Sequence, residues 1–335
     1  MATYKEIRGT NIEVLASDPS NPVSGQVWYN STDNVLKGNS GPLVGAWATA
    51  NNLNTAVRSM AGFGIQTAAI STGGFHPGPL NSRSALTESY NGTNWTEVND
   101  LNNGRSDLCQ GAGTTTAGLA FAGYLPGYPI SDYTGLTETW NGSNWTEVND
   151  LNFGRINGGG CGTNTAALCF GGGDPVSTAN TETWNGTNWT EVNNLNTARS
   201  GTQGSGATNT ASLCFGGYIG PARSANTELW NGTNWTEVND MNRGVNSAGG
   251  AGTTTSSLCF GGDSDTVTRS ANTESWNGTS WTNVADLNSG KRQLGDAGAD
   301  NSSALAFGGE DGSSAELATT EEWSLSGGTV TFTDS

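Results

Sequence analysis

Apolar residues recur along most of the chain in short alternating runs of four to five, broken by turn-forming residues, which is the pattern of β-strands rather than helices. The segment from Thr181 to Gly217, TETWNGTNWTEVNNLNTARSGTQGSGATNTASLCFGG, displays the unit most plainly. Its Thr-Glu marker recurs at Thr87, Thr137, Thr181, Thr227, Thr273 and Thr320. That spacing fits one four-stranded unit per repeat of a propeller. Four strands are expected in each unit. The innermost follows Arg199 up to about Gly206, and the second runs from Ala211 to Gly217, with Leu213 and Phe215 alternating with Cys214. The third is Thr227 to Trp230. Asn231-Gly232 supplies the positive-φ positions of a hairpin, and Trp235 to Val238 returns as the outer strand.

Two aromatic columns follow from this register. Tyr90, Trp140, Trp184, Trp230, Trp276 and Trp323 stand on third strands, whereas Trp47, Trp95, Trp145, Trp189, Trp235 and Trp281 stand on outer strands. Rings repeated in every copy are what stacked sheets about 10 Å apart need to fill the space between them. The recurring Glu88, Glu138, Glu182, Glu228, Glu274 and Glu321 are read the same way, as partners for arginines of neighbouring repeats or for backbone donors. A catalytic acid is ordinarily unique to one position.

An Arg opening a repeat, a second strand that ends in double glycine, an aromatic strand and a Trp strand together resemble the kelch repeat. Arg105, Arg155 and Arg199, with Lys291 in a later copy, match the opening Arg; Gly171-Gly172, Gly216-Gly217, Gly261-Gly262 and Gly308-Gly309 match the double glycine. The resemblance covers roughly Trp47 to Phe332. It implies an all-β, six-bladed kelch-like β-propeller of four-stranded blades over residues 43–335. It does not choose among enzyme, lectin-like module and protein adaptor, since kelch propellers include all three. Either the Trp47 strand completes the last blade, or the strand Thr329 to Phe332 does.

Residues 1–42 do not match the repeat. GQVWYNSTDNVLKG, from Gly25, predicts a β-hairpin with a Ser-Thr-Asp-Asn turn, preceded by a proline-containing connector. This extension is similar to the short N-terminal modules of tailed-phage fibres and other virion appendage proteins. The resemblance implies a virion-surface protein made in the host cytoplasm without a signal peptide and joined to other virion proteins through this segment.

Composition narrows the chemistry. A formal charge of −17 leaves no basic stripe for nucleic acid or an anionic membrane surface, and no apolar stretch reaches membrane-spanning length. Met1 to Leu15 carries no secretory h-region. Five cysteines are present; Cys169, Cys214 and Cys259 share one position of the repeat with Ala120 and Ala306, which predicts buried free thiols in a small packing site. His76, in the proline-rich stretch GGFHPGPL, is the sole histidine, so a copper or zinc centre lacks its imidazoles and a serine triad lacks a fixed base. No cofactor is expected. Asn-X-Thr triplets such as Asn91-Gly92-Thr93 arise from the hairpin turn and are not read as glycosylation acceptors.

Between the double glycine and the next Thr-Glu the copies diverge, and these connectors all emerge on one face. Loops on a rigid scaffold are where recognition resides. The candidate ligand-binding residues are therefore His76, Arg83, Tyr124, Tyr128, Tyr133, Tyr218 and Arg223, groups suited to a host-surface glycan or protein. The leading expectation is a non-enzymatic binding propeller. A structural virion decoration protein and a polysaccharide-cleaving enzyme, which needs only paired carboxylates, stand as alternatives, and self-association is left open.

Overall fold

The computed structural model describes residues 12–19, 25–39, 44–77, 82–127, 132–173, 176–326 and 329–332. Among them every regular element is a strand, and the strands form seven four-stranded sheets and one two-stranded ribbon. The chain divides into two compact units, one of Met1–Ala46 with Ser324–Ser335 and the other of Trp47–Trp323.

In the smaller unit, the expected hairpin is present as Val27–Asn30 and Val35–Asn39. Glu13–Leu15 adds in parallel on one side and Thr329–Phe332 antiparallel on the other. The C-terminal strand thus belongs with the N-terminal hairpin, outside the 1–42 segment that the repeat pattern delimits. Asp18 ties this sheet together, accepting hydrogen bonds from the Trp28 indole (3.1 Å), the Asn30 amide (2.8 Å) and Lys37 (2.9 Å). Those donors hold its carboxyl below the usual range.

The larger unit has the repeated four-stranded sheets of a β-propeller, and the six sheets that contribute strands to it are numbered 1 to 6 in chain order. Sheet 4 is representative. Its inner strand is Gln203–Thr208, followed by Ala211–Phe215, Thr227–Trp230 and the outer strand Trp235–Val238. The third and outer strands fall where the sequence places them. The inner strand starts later than expected, because residues 200–202 are spent on a bridge and a turn. Sheet 6 is completed from the start of the chain, its third strand Thr320–Ser326 pairing with Val44–Ala50, which carries Trp47. That settles the choice of closing strand in favour of Trp47.

Two corrections concern local chemistry. In the hairpin, only Gly232 has positive φ (89°), and Asn231 acts through its side chain, its Oδ1 accepting from the backbone of Thr233 and Asn234, both at 2.9 Å. The loop is therefore four residues long and held by an Asx turn. In sheets 2, 3 and 4 the repeated glutamate pairs with the arginine that opens its own sheet, not a neighbour's: Arg105 with Glu138 at 2.6 Å, Arg155 with Glu182 at 2.5 Å, and Arg199 with Glu228. The backbone-donor half of the expectation holds, since the loop asparagines Asn102, Asn152 and Asn196 each place their backbone N–H and side-chain amide on the same carboxylates at 2.7–2.8 Å.

The outer-strand tryptophans join each sheet to the one before it. Their indole N–H groups donate to the hydroxyl of the Thr that begins the preceding sheet's third strand: Trp145 to Thr87 (3.1 Å), Trp189 to Thr137 (3.0 Å), Trp235 to Thr181 (3.1 Å) and Trp281 to Thr227 (3.0 Å). Trp47 reaches Thr273, and Trp95 of sheet 1 reaches Thr320 of sheet 6, both at 3.0 Å. Each of these Trp rings also packs on an aromatic ring of the preceding sheet, as Trp235 does edge-on against Phe170 at 4.9 Å. Sheet 1 has Thr72 where the other sheets carry Phe, and Phe63 on its inner strand supplies the ring for Trp145 instead. Third-strand tryptophans hydrogen-bond within their own sheet, as Trp230 does by donating to the carbonyl of Asn209 at 3.0 Å.

Around the axis the inner strands approach so closely that a side chain does not fit at several of their glycines. A Cβ on Gly160 would lie 2.2 Å from the Gln110 carbonyl, and one on Gly62 would lie 2.6 Å from that of Asp296. The small-residue content of these strands follows from that packing. All five cysteines are buried and free. Burial pushes the Cys259 thiol up to about 12.

Two outcomes follow. Trp235→Ala should destabilise the propeller by about 3–5 kcal/mol, whereas Thr181→Val, which removes only the acceptor, should cost about 1–3 kcal/mol, both read from urea unfolding. Cys169, Cys214 and Cys259 should label slowly with a thiol reagent in the native protein and quickly in denaturant; fast native labelling of all three would contradict their burial.

Candidate functional site

The connectors between second and third strands are held by the frame in a consistent way. The residue after the double glycine bridges back to the strand entry of its own sheet, as in Arg58 with Phe75, Ser106 with Tyr124, Ser200 with Tyr218 and Arg292 with Glu310. The next residue of each entry, Ser59, Asp107, Asn157, Gly201, Ser247 and Gln293, has φ between 53° and 61°. Several of these residues are hydrogen-bonded from sheet to sheet around the mouth of the axis: Ser59 N–H to Gln293 carbonyl (2.8 Å), Gln293 to Ser247 (2.8 Å), Ser247 to Gly201 (2.9 Å) and Gly201 to Asn157 (2.8 Å). The connectors therefore surround one opening.

On one side of that opening the candidate residues form a stack. His76 and Arg83 lie on the two-stranded ribbon Phe75–His76 with Ser82–Arg83. The Arg83 guanidinium sits 4.5 Å above the Tyr124 ring, and Tyr124 packs on Tyr133 with centroids 5.8 Å apart. Asp132 fixes the connector by accepting from the Tyr124 hydroxyl (3.2 Å) and the Gly127 N–H (2.9 Å). Burial and this carboxylate raise the Tyr124 phenol. His76 is half-buried, with Nδ1 3.4 Å from the Pro77 carbonyl. Tyr128 lies outside the described residues.

Tyr133 continues into an open groove of about 620 Å³ bounded by the connectors of sheets 2, 3 and 4, with Tyr218, Ile219, Val176, Ser177 and Ser200 on its walls. Val176 is 72% exposed, Ile219 40% and Tyr218 38%, so this is an aromatic and aliphatic surface open to solvent. Among the described residues no Asp, Glu, Lys or Arg lines it.

The other half of the face is charged. Arg292 pairs with Asp263 and Glu310, both at 2.5 Å; Arg58 pairs with Glu316 (3.1 Å) and Glu310 (3.3 Å); Arg269 pairs with Glu310 (2.9 Å). Arg223 turns to this side, to Asp265 at 3.2 Å and Asn246 at 3.2 Å. It is thus placed with the ion pairs and away from Tyr133, although its backbone bridges Tyr218.

The axis itself holds a polar plug. Gln110 donates to the Asp296 carboxylate (2.8 Å) and the Gly250 carbonyl (2.8 Å) and accepts from Gly204 N–H (2.9 Å), so it joins residues of sheets 4, 5 and 6 from sheet 2. Asp296 also accepts from Gly250 N–H at 3.1 Å. With no Lys or Arg paired to it among the described residues, burial pushes this carboxyl up to about 7.

The sequence reading missed Asp296, Gln110, Val176, Ile219 and the ion-pair half of the face. A signal for Asp296 was present, because the same position is Gly62, Gly111, Gly160, Gly204 and Gly250 in the other copies. Val176 and Ile219 lay within divergent connectors but are not residue types that announce chemistry.

No protein-family model matches the sequence, and no curated protein matches it. Among solved structures the chain is similar to a β-propeller titled "Structure of YjhT", with a TM-score of 0.63 and 13% sequence identity, covering 80% of this chain and 95% of that one. At that identity the likeness shows the β-propeller fold and nothing about activity.

A raised carboxyl makes a signed prediction for pH. The folded state binds the Asp296 proton more tightly than the unfolded chain, so its contribution to stability is full below about pH 4 and is lost as the pH rises towards about 7. Asp296→Asn should flatten the wild-type decline between these limits in urea midpoints; an unchanged slope would place the titration elsewhere.

Proposed function

We propose that this chain is a six-bladed, non-enzymatic binding propeller that recognises a host-surface glycan or protein through its connector face. The observation that carries the reading is the groove between Tyr133 and Tyr218, lined by no charged side chain among the described residues and formed by divergent connectors on a frame whose recurring residues are spent on packing. Rigid aromatic rings with serine hydroxyls between them suit the alternating apolar and hydroxylated faces of sugar rings. The six-blade count is supported by the indole-to-threonine bonds, which run through six sheets and return from sheet 1 to sheet 6. The four-stranded sheet of the smaller unit is then an extension outside the repeat pattern, suited to attachment.

A carrier such as a phage fibre or other virion appendage, exposed at the virion surface, fits the resemblance of the N-terminal segment. Its partners would be other virion proteins on one side and the host surface on the other. The repeated glutamates of sheets 2 to 6 are occupied by ion pairs, which favours binding over glycoside cleavage. The observation favouring the enzymatic alternative is Asp296, a carboxyl tuned near neutrality in the axis; turnover of a surface polysaccharide that Asp296→Asn abolishes would establish it.

Binding of isolated bacterial surface polysaccharide to the full chain, measured by calorimetry or interferometry, tests the leading reading. Tyr133→Ala and Tyr218→Ala should each weaken it by about 1–3 kcal/mol without shifting the unfolding midpoint. Unchanged affinity in both variants would move the recognition surface elsewhere.

A further inference from the structure

The third-strand glutamates offer an internal comparison, because the same buried carboxylate occurs in all six sheets and its charge partner does not. In sheets 2, 3 and 4 the partner is the opening arginine described above. In sheet 6 Lys291 takes this role at 2.8 Å from Glu321. In sheet 5 the opening position is Val245, and Arg243, two residues earlier, lies 3.6 Å from Glu274. Sheet 1 has Val57 at the opening position. The equivalence is fixed by the backbone, since the carbonyls of Val57, Arg105, Arg155, Arg199, Val245 and Lys291 all accept from the second glycine of the preceding sheet.

Glu88 of sheet 1 is 5% exposed, and among the described residues no Lys or Arg forms an ion pair with it. Arg58, adjacent to Val57, is committed to the connector face through Glu310, Glu316 and the ring of Phe75. Neutral donors hold the Glu88 carboxylate: Asn54 N–H at 2.8 Å, the Asn54 amide at 2.7 Å and Thr55 N–H at 3.0 Å. Beside it lies a cavity of about 10 Å³, lined by Glu88, Thr55, Ser71 and Ser84 and closed by Val57 and Leu86. A space of about 10–15 Å³ admits one water-sized particle. Ser84 Oγ accepts from Leu86 N–H at 2.9 Å and so has its oxygen fixed in the wall.

The residues around this space bring a carboxylate and three hydroxyls beside Val57, Gly73 and Leu86, and carboxylate and hydroxyl oxygens are donors that a hard cation takes. A buried carboxylate favours a counter-charge, and the sister sheets supply theirs from an Arg or Lys side chain. We propose that the Glu88 cavity is a site for one sodium-sized monovalent cation, which takes the part that Arg or Lys plays in the other sheets. The ion neutralises Glu88 and couples the stability of sheet 1 to the ionic composition of the medium. Choline, too large for the cavity, leaves Glu88 uncompensated.

Thermal unfolding of the full chain in sodium chloride and in choline chloride at matched ionic strength tests this, because general screening is common to both salts. Between about 10 mM and about 500 mM salt, sodium should raise the wild-type midpoint by about 2–4 °C more than choline does. Glu88→Gln, close in shape and uncharged, should erase that difference. Val57→Lys, which sets an ammonium where Lys291 stands in sheet 6, should erase it too. Coincident sodium and choline curves for the wild type would overturn the proposal, as would a sodium-specific increment that persists undiminished in Glu88→Gln.

Discussion

The hydrogen bond from each outer-strand indole to the threonine of the preceding sheet is the constraint on which the rest of this propeller depends. A four-stranded sheet leaves two faces to cover, and a ring of such sheets is stable only if every face finds the next. Tryptophan fills the gap and brings a polar edge that must be satisfied once buried. Threonine at the first position of the third strand satisfies it at 3.0–3.1 Å in every sheet. The spacing from the Thr-Glu marker to the Trp that follows it is therefore fixed, and divergence is confined to segments that touch neither.

Sheet 1 shows how the frame accommodates departures. Its third strand ends in Tyr90 rather than Trp, and the phenol donates to Glu322 of sheet 6 at 2.6 Å. Its second strand ends in Thr72 rather than Phe, and Thr72 shares a 2.7 Å hydrogen bond with Thr87, the acceptor of Trp145. Phe63 restores the missing ring from the inner strand. The lost opening arginine is the departure for which no side chain compensates. A repeat protein distributes such changes because each unit answers chiefly to its neighbours.

The framework was legible because identical residues at a fixed spacing carry a packing requirement that needs no knowledge of the whole fold. Third and outer strands, both tryptophan columns and the buried cysteines are of this kind. The start of the inner strand was less legible, since a bridge and a left-handed residue precede it and leave no distinctive composition. The pairing of Thr329–Phe332 with the N-terminal hairpin joins segments nearly three hundred positions apart, a distance over which local pattern carries no information. On the connector face, the stack of Arg83, Tyr124 and Tyr133 joined residues already marked by type. The turn of Arg223 towards Asp265 depended on where acidic neighbours happened to fall.

The proposed function rests on a division between a frame whose recurring residues pack against one another and a connector face that carries an exposed aromatic groove. Indole proton exchange, followed by NMR on nitrogen-15-labelled protein, tests the central claim most directly. If the ring is closed through the Trp47 strand, the indole protons of Trp47, Trp95, Trp145, Trp189, Trp235 and Trp281 should exchange only at the rate of global unfolding, while backbone amides of the connectors around Tyr124 and Ile219 exchange far faster. Rapid exchange at Trp47 and Trp95, with the other four protected, would mean that the ring opens between sheets 5, 6 and 1, and would contradict the account.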